Sequence, residues 1–463
     1  MATRPSSTST PRPKVAVVGC GHGELNLIYQ TVESECHARR GWSLSDLDLL
    51  IICGDFQAYR NALDLNCASV PRRYRRLVDF HAYYSGERTA PVLTLVIGGN
   101  HEASNYFFEL YHGGWLAPNI YYLGAAGVVR YGPWRIAGLS GIFKPGDYRR
   151  PHDERVPYDS HGVRSAYHVR EYDVEKLLQV TGQVDLCLSH DWPMWVELFG
   201  DYTTLYKARP HFLDSAKAAG LGSLPALEVL GKLRPRYWFS GHMHVRFEAA
   251  VAHRDHQPIQ DTIRGLPVSE PIRSKLPIFQ RQTSSRGGDD VTGRTEFLAL
   301  SKPGPDTSSY IELKELDLPA HSDEAQYLGR STCGKFSLHY DEEWLAITRA
   351  FNESLRIADP ETLVVPPERH KKKVPSASIS RHRKWVRENV TRKDLLRIPE
   401  NFERHAPVHD PALPGLGDQP PEYPNSQTAR LAELLQMTNR FAIVKNETQE
   451  STGIDLVDFT LDE

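Results

Sequence analysis

Residues 15–26 read VAVVGCGHGELN: an apolar run that stops at Gly19 and opens into a glycine-bounded turn carrying Cys20 and His22. Consecutive apolar residues closed by a turn predict a strand buried on both faces, not one side of an amphipathic helix. The same grammar recurs in DLLIICGD (48–55), VLTLVIGGN (92–100), WRIAGLSG (134–141), VDLCLSH (184–190) and RYWFSGH (236–242). Helix-like stretches lie between these runs, at 24–34, 70–86 and 170–180. The alternation predicts an α/β chain with a largely parallel sheet or pair of sheets. Functional groups are then expected beyond the carboxyl ends of the strands.

At 463 residues the chain can hold one large α/β domain and a smaller module or tail. Its formal net charge of −3 gives no overall attraction to a polyanion, so any basic surface must be local. The polar lead-in MATRPSSTSTPRPK lacks the apolar stretch of a secretory signal, residues 1–13 read as disordered, and no run is long enough to span a bilayer. Six cysteines, at 20, 36, 53, 67, 187 and 333, show no CxxC pairing, which fits a reducing compartment, cytosol or nucleus. Nothing in the sequence singles out a protein partner.

In chain order the strand exits carry Cys20 and His22, Asp55, Asn100 and His101, His190, then His242 and His244. Each alone has an ordinary explanation: a buried thiol, a turn, a hydrogen-bonded core histidine. Together they are a set of metal ligands. Two divalent ions ~3.5–4 Å apart need a shared carboxylate, imidazoles and an amide oxygen around them, and open positions for water and phosphate. Asp55 can bridge, because one carboxylate offers two oxygens.

The order C-x-H, GDF, GNHE, SHD and GHMH resembles the calcineurin-like metallophosphoesterases, whose first motif is ordinarily D-x-H. That resemblance implies a β-sandwich flanked by helices, with one metal held by Cys20, His22, Asp55 and His244. The other would be held by Asp55, Asn100, His190 and His242, leaving His101 unligated beside them. Cys in place of the first Asp resembles the RNA lariat debranching enzymes, as do the contexts GCGHGELNLIY, GGNHEASNY, SGIFKPGDY, VRSAYHVREYDVEKLLQ, RPRYWFSGHMHVRF, FLALSK and YDEEWLAITRA. The resemblance extends over 14–250 and, less closely, 295–356. It implies hydrolysis of the 2′-5′ phosphodiester of branched lariat RNA, with His101 protonating the departing 2′-oxygen. Two divalent ions are expected, Fe(II), Zn(II) or Mn(II); a thiolate is a softer donor than a carboxylate, so the Cys20 site should lean toward Zn(II) or Fe(II) and away from Mg(II).

By the same resemblance, 14–250 would be the catalytic domain and 143–172 its lariat recognition loop. That loop carries six Lys/Arg against five acids, too slight an excess for a polybasic patch. Its candidate RNA contacts are Lys144, Tyr148, Arg164, Tyr167 and His168, aromatics for bases and cations for phosphates. Residues 251–294 read as a linker or insertion, 295–360 as a smaller C-terminal α+β module, and 361–463 as a mostly disordered basic and Pro-rich tail with a short helix. The acid-free basic run RHKKKVPSASISRHRKWVR (369–387) suggests nuclear import, with cytoplasmic residence also open. From the residues alone, another nuclease or phosphatase of this fold, or a non-catalytic scaffold, remains an alternative.

Overall fold

The computed structural model describes residues 12–254, 257–280, 291–317, 319, 335–358, 374–412 and 417–442. Its strands are β1 (Lys14–Val18), β2 (Leu49–Ile52), β3 (Thr94–Val96), β4 (Gly114–Ala117), β5 (Ile120–Tyr122), β6 (Ala126–Tyr131), β7 (Trp134–Leu139), β8 (Leu186–Ser189), β9 (Tyr237–Ser240), β10 (Phe247–Arg254), β11 (Val291–Ala299), β12 (Ile311–Glu315) and β13 (Leu338–Tyr340). They form a six-stranded sheet, β12-β1-β2-β3-β5-β4, and a seven-stranded sheet, β10-β11-β9-β8-β7-β6-β13. The central strands β1-β2-β3-β5 and β7-β8-β9-β11 run parallel. Antiparallel strands close the edges.

The two sheets face each other. Val15, Val17, Leu49, Ile51 and Leu95 of the first meet Ile136, Leu186, Leu188 and Phe239 of the second in one buried cluster. The alternate residues Ala16, Val18, Leu50 and Ile52 turn outward against Ile28, Tyr29 and Val32 of the helix Leu25–Arg40. On the other side Ala137, Leu139, Cys187 and Trp238 meet the helices Glu171–Leu178 and Leu224–Leu233. Both faces of each strand are therefore covered, which is why the sequence runs are continuously apolar. Each such Val, Leu, Ile or Phe contributes about 1.5–3 kcal/mol by leaving water.

The domain boundaries expected from sequence differ from the observed ones. The stretch 251–294 is not a free linker: β10 reaches Arg254, and Ile259, Ile263, Leu276 and Ile278 are buried in the helical layer. Residues 281–290 lie outside the described residues. The strands of 295–360 do not form a sheet of their own: β11 inserts between β9 and β10, β12 pairs with β1, and β13 extends β6.

The reading of 361–463 as mostly disordered is also corrected for its described part. Helix Ser376–Asn389 packs Val386 beside Leu345 and Ala346 of helix Glu342–Phe351, and helix Ser426–Leu434 joins them through Leu431. Gln427 donates to the Trp115 carbonyl at 2.9 Å and accepts from its N–H at 2.7 Å, continuing the edge strand β4 with a side chain. Only a narrow apolar stripe of each helix is buried, so the local sequence reads as polar. Residues 1–11, 361–373 and 443–463 of the expected disordered segments lie outside the described residues.

Candidate metal centre and its rim

Parallel strands deliver their carboxyl ends to one edge of the sandwich, and the ligand-type side chains meet there. One donor atom each from Cys20, His22, Asp55 and His244 lies within 4.8 Å of the others. His22 Nε2 and His244 Nε2 are 3.1 Å apart, and His22 Nε2 is 3.6 Å from Asp55 Oδ2. The other carboxylate oxygen, Oδ1, faces His190 Nε2 at 3.3 Å, and His190 Nε2 is 3.2 Å from Asn100 Oδ1. The ring of His242 is 5.0 Å from that of His190, and its backbone N–H donates to Cys20 Sγ at 3.2 Å. Asp55 thus presents one oxygen to each half of the cluster, the arrangement a bridging carboxylate requires.

The backbone here is strained in a consistent way. His22, Asp55, His242 and His244 all have positive φ, between 46° and 65°. For side chains other than glycine such a conformation costs of order 1 kcal/mol or more, and it persists where surrounding structure imposes it. Close approach is enforced by glycine: a Cβ on Gly99 would lie 2.3 Å from Asp55 N and Oδ1, and one on Gly54 2.3 Å from His190 Nδ1. His190 donates Nδ1–H to the Cys53 carbonyl at 2.7 Å, which leaves Nε2 with its lone pair toward the cluster.

Electrostatics prepare the same groups for a cation. Burial lowers His22 to about 4, His242 to about 3 and His244 to about 4, so near neutral pH these imidazoles carry free lone pairs. Burial opposes ionisation of Asp55, but the histidines around it, His190 first and then His22 and His101, together hold the carboxyl well below its usual range. Burial, then Asp55, push the Cys20 thiol up. A buried anionic carboxylate, neutral imidazoles and a thiol that needs a positive neighbour to ionise fit a divalent metal site.

His101 lies beside this set, its ring 5.8 Å from that of His22 and its backbone N–H donating to Asp55 Oδ1 at 2.8 Å. Its Nδ1 is buried without a hydrogen-bond partner. Sequence reasoning passed over Glu102, although GNHE contains it. Its carboxylate accepts N–H groups of Phe56 and Gln57 at 2.7 Å and of Gly99 at 2.8 Å, tying the loop of Asp55 to that of Asn100. Burial and then Asp55 raise that carboxyl to about 8. Gln57, whose Nε2 is 3.4 Å from His22 Nδ1, was also missed. So was Lys302, exposed where Ser301 O accepts the Cys20 N–H at 3.1 Å. The apolar runs signalled strand ends, but the partners that orient ligands sit in the turns after them.

The rim residues from 143–172 divide. Lys144 and Arg164 are exposed, and Tyr167, half-buried, brings its hydroxyl within 3.2 Å of Ser69 Oγ. Tyr148 packs against the helical core, and His168 is buried with Nδ1 2.6 Å from Asp147 Oδ2, so both anchor the segment instead of facing solvent. The segment is held from within by Glu154, which pairs with Arg170 and approaches His152 at 3.1 Å. From outside it is held by Arg155 to Glu422 at 2.6 Å.

A sandwich with these ligands at its parallel strand ends defines a metallophosphoesterase, and the calcineurin-like phosphoesterase family matches residues 13–246. The C-terminal domain of lariat debranching enzymes matches residues 292–440, which includes most of the stretch expected to be a tail. The chain is 40% identical over 426 residues to the lariat debranching enzyme of Arabidopsis thaliana, covering 91% of this chain and 86% of that one. It is also 40% identical to those of Drosophila melanogaster, over 86% and 72% of the two chains, and Homo sapiens, over 87% and 65%. The chain belongs to the lariat debranching enzyme family. It is a metal-dependent phosphodiesterase, and its fold implies divalent metal ions. Among the described residues no helix is long and apolar enough to cross a membrane.

Proposed function

We propose that the chain hydrolyses the 2′-5′ phosphodiester at the branch of excised intron lariats, for intron turnover, releasing linear RNA with a free 2′-hydroxyl and a 5′-phosphate. Cys20, His22, Asp55 and His244 hold one ion, and Asp55, Asn100, His190 and His242 the other. When bound, the ions supply charge neutralisation for the phosphate and a lowered pKa for the attacking water. The ions are Fe(II), Zn(II) or Mn(II), and the soft Cys20 donor tilts its own site toward Zn(II) or Fe(II) and away from Mg(II). His101 donates a proton to the departing 2′-oxygen, because a sugar alkoxide leaves poorly without one. With Nδ1 buried, Nε2 is the nitrogen left to meet the substrate. Lys144, Arg164 and Tyr167 contact the RNA from the 143–172 side, while Tyr148 and His168 set the shape of that wall.

The observation that carries this reading is the thiol donor of Cys20 within the four-residue cluster beside the 143–172 wall. The test is cleavage of a branched oligonucleotide beside its linear 3′-5′ isomer. Release of the 2′-5′ arm alone is expected, whereas equal cleavage of the isomer would make the chain a general nuclease of this fold. Nuclear residence belongs to the same reading. Arg387 of the basic run is engaged with Glu342 at 2.8 Å and Arg383 approaches Glu343 at 3.5 Å, so import would rest on the other cations of the run, Arg369, Lys371, Lys372, Lys373, Arg381 and Lys384. A fluorescent fusion with those six residues changed to Gln should lose nuclear accumulation; unchanged localisation would reject the signal.

A further inference from the structure

The segment VPRRYRR, residues 70–76, supplies none of the ligands but is fixed beside them at both ends. Just before it, Ser69 meets the Tyr167 hydroxyl at 3.2 Å. Just after it, Val78 packs against Gly23 in the turn that carries His22, where an added Cβ would lie 3.0 Å from Val78 Cβ. Asp79 also accepts the Asn26 N–H at 2.9 Å. The segment therefore spans the rim between the Cys20–His22 turn and the 143–172 wall.

Within it, Arg75 turns inward: Nε donates to the Val70 carbonyl at 2.7 Å and Nη1 to Asn66 Oδ1 at 3.2 Å. That inward arginine props the short turn Arg72–Tyr74; Val70 packs against the core, while Pro71, Arg72, Arg73, Tyr74 and Arg76 are exposed. Tyr74 is 61% exposed, with the Arg73 guanidinium 4.7 Å from its ring centre. Among the described residues no carboxylate pairs with Arg72 or Arg73, and Arg76 has the half-buried Glu24 at 3.8 Å. An ion pair at that distance on an exposed arginine contributes little and is easily exchanged. Core packing does not account for a solvent-facing aromatic ring among these guanidiniums. It has the two elements that bind unpaired nucleic acid, a stacking platform and phosphate contacts.

We infer that residues 70–76 are a landing surface for an unpaired arm of the RNA substrate, with a base stacked on Tyr74 and phosphates paired to Arg72, Arg73 and Arg76. This rests on the function proposed above and assigns that site a second wall, adjoining the first at Tyr167.

Binding of fluorescein-labelled linear single-stranded RNA to the metal-loaded full chain, read by anisotropy, tests the surface without requiring turnover. Tyr74→Ala should weaken binding about five- to a hundredfold, and Tyr74→Phe, which keeps the ring, should restore it. Arg72→Gln with Arg73→Gln should make the dependence of log affinity on log salt shallower by about 1.4, two contacts at ~0.7 each. On branched RNA the same changes should raise KM more than they lower kcat. Affinity within twofold of the parent for Tyr74→Ala, or an unchanged salt slope for the double variant, would overturn the assignment. If the parent binds linear RNA through this surface but leaves the branched bond intact, the debranching reading fails and the surface stands.

Discussion

Cys20 offers sulfur where the family's usual motif has an oxygen donor, at a point where burial resists ionising it, so a metal held there would have to supply the stabilisation. Cys20→Asp should keep two metals per chain and shift activity toward Mn(II) and Mg(II), measured as turnover of branched RNA across a metal series with metal content in parallel. An unchanged preference would remove Cys20 from the ligand set. His101 makes a separate prediction, because its side chain holds no other group in place. His101→Ala should retain both metals and lower turnover by about 10²–10⁴, and a substrate with a more acidic leaving group should recover most of the loss. Equal slowing of that substrate would show that His101 does not protonate the leaving oxygen.

The 143–172 segment behaves as a braced wall, and Glu154 is its central brace. Burial raises the cost of its charge, but His152 and Arg170 outweigh that and bring it from an ordinary 4.5 to about 2. A carboxyl whose folded value lies below its unfolded one stabilises the native state fully above pH 4.5 and loses that contribution as pH falls toward 2. The shift corresponds to about 3 kcal/mol. Glu154→Gln, which strands the buried Arg170, should lower unfolding free energy by about 3 kcal/mol near neutral pH. The gap from the parent should close as pH falls below 4, as followed by urea titration at several pH values. A gap that stays constant with pH would assign the loss to packing. Because Arg164 and Tyr167 ride on this wall, debranching should fall at temperatures where small phosphodiesters are still hydrolysed.

Across the whole molecule, contacts far apart in sequence close the structure. Gln427 completes the backbone pairing of Trp115, joining the helix Ser426–Leu434 to the first sheet, and Thr428 donates to the Glu109 carbonyl at 2.6 Å, joining it to the helix Ser104–Glu109. Arg135 in the second sheet is buried against Asp341 at 2.6 Å and Glu343 at 2.8 Å. Gln427→Ala leaves a buried N–H and carbonyl without partners and should cost about 2 kcal/mol or more in denaturant unfolding. A change below about 0.5 kcal/mol would mean that water replaces the side chain there.

The sequence by itself determined the strands and the ligand inventory. A strand buried on both faces must be apolar at every position, and in parallel strands the ligand-type residue that ends each run must lie at the same edge, so Cys20, Asp55, Asn100, His190 and His242 were legible as a set of candidate ligands, though not one by one. Only the tertiary structure decided which oxygen of Asp55 faces which histidine, that Glu102 ties two ligand loops together, and that Tyr148 and His168 turn inward while Tyr74 is left outside. It also decided the boundaries. β12 completes a sheet begun almost 300 residues earlier and β11 one begun with β6, and the helices 376–389 and 426–434 bury only narrow stripes whose partners, Leu345 and Trp115, are supplied by distant chain. Local hydrophobicity records how much of a segment is buried, not what it is buried against, and in this protein that second quantity shapes both the C-terminal half and the rim of the site.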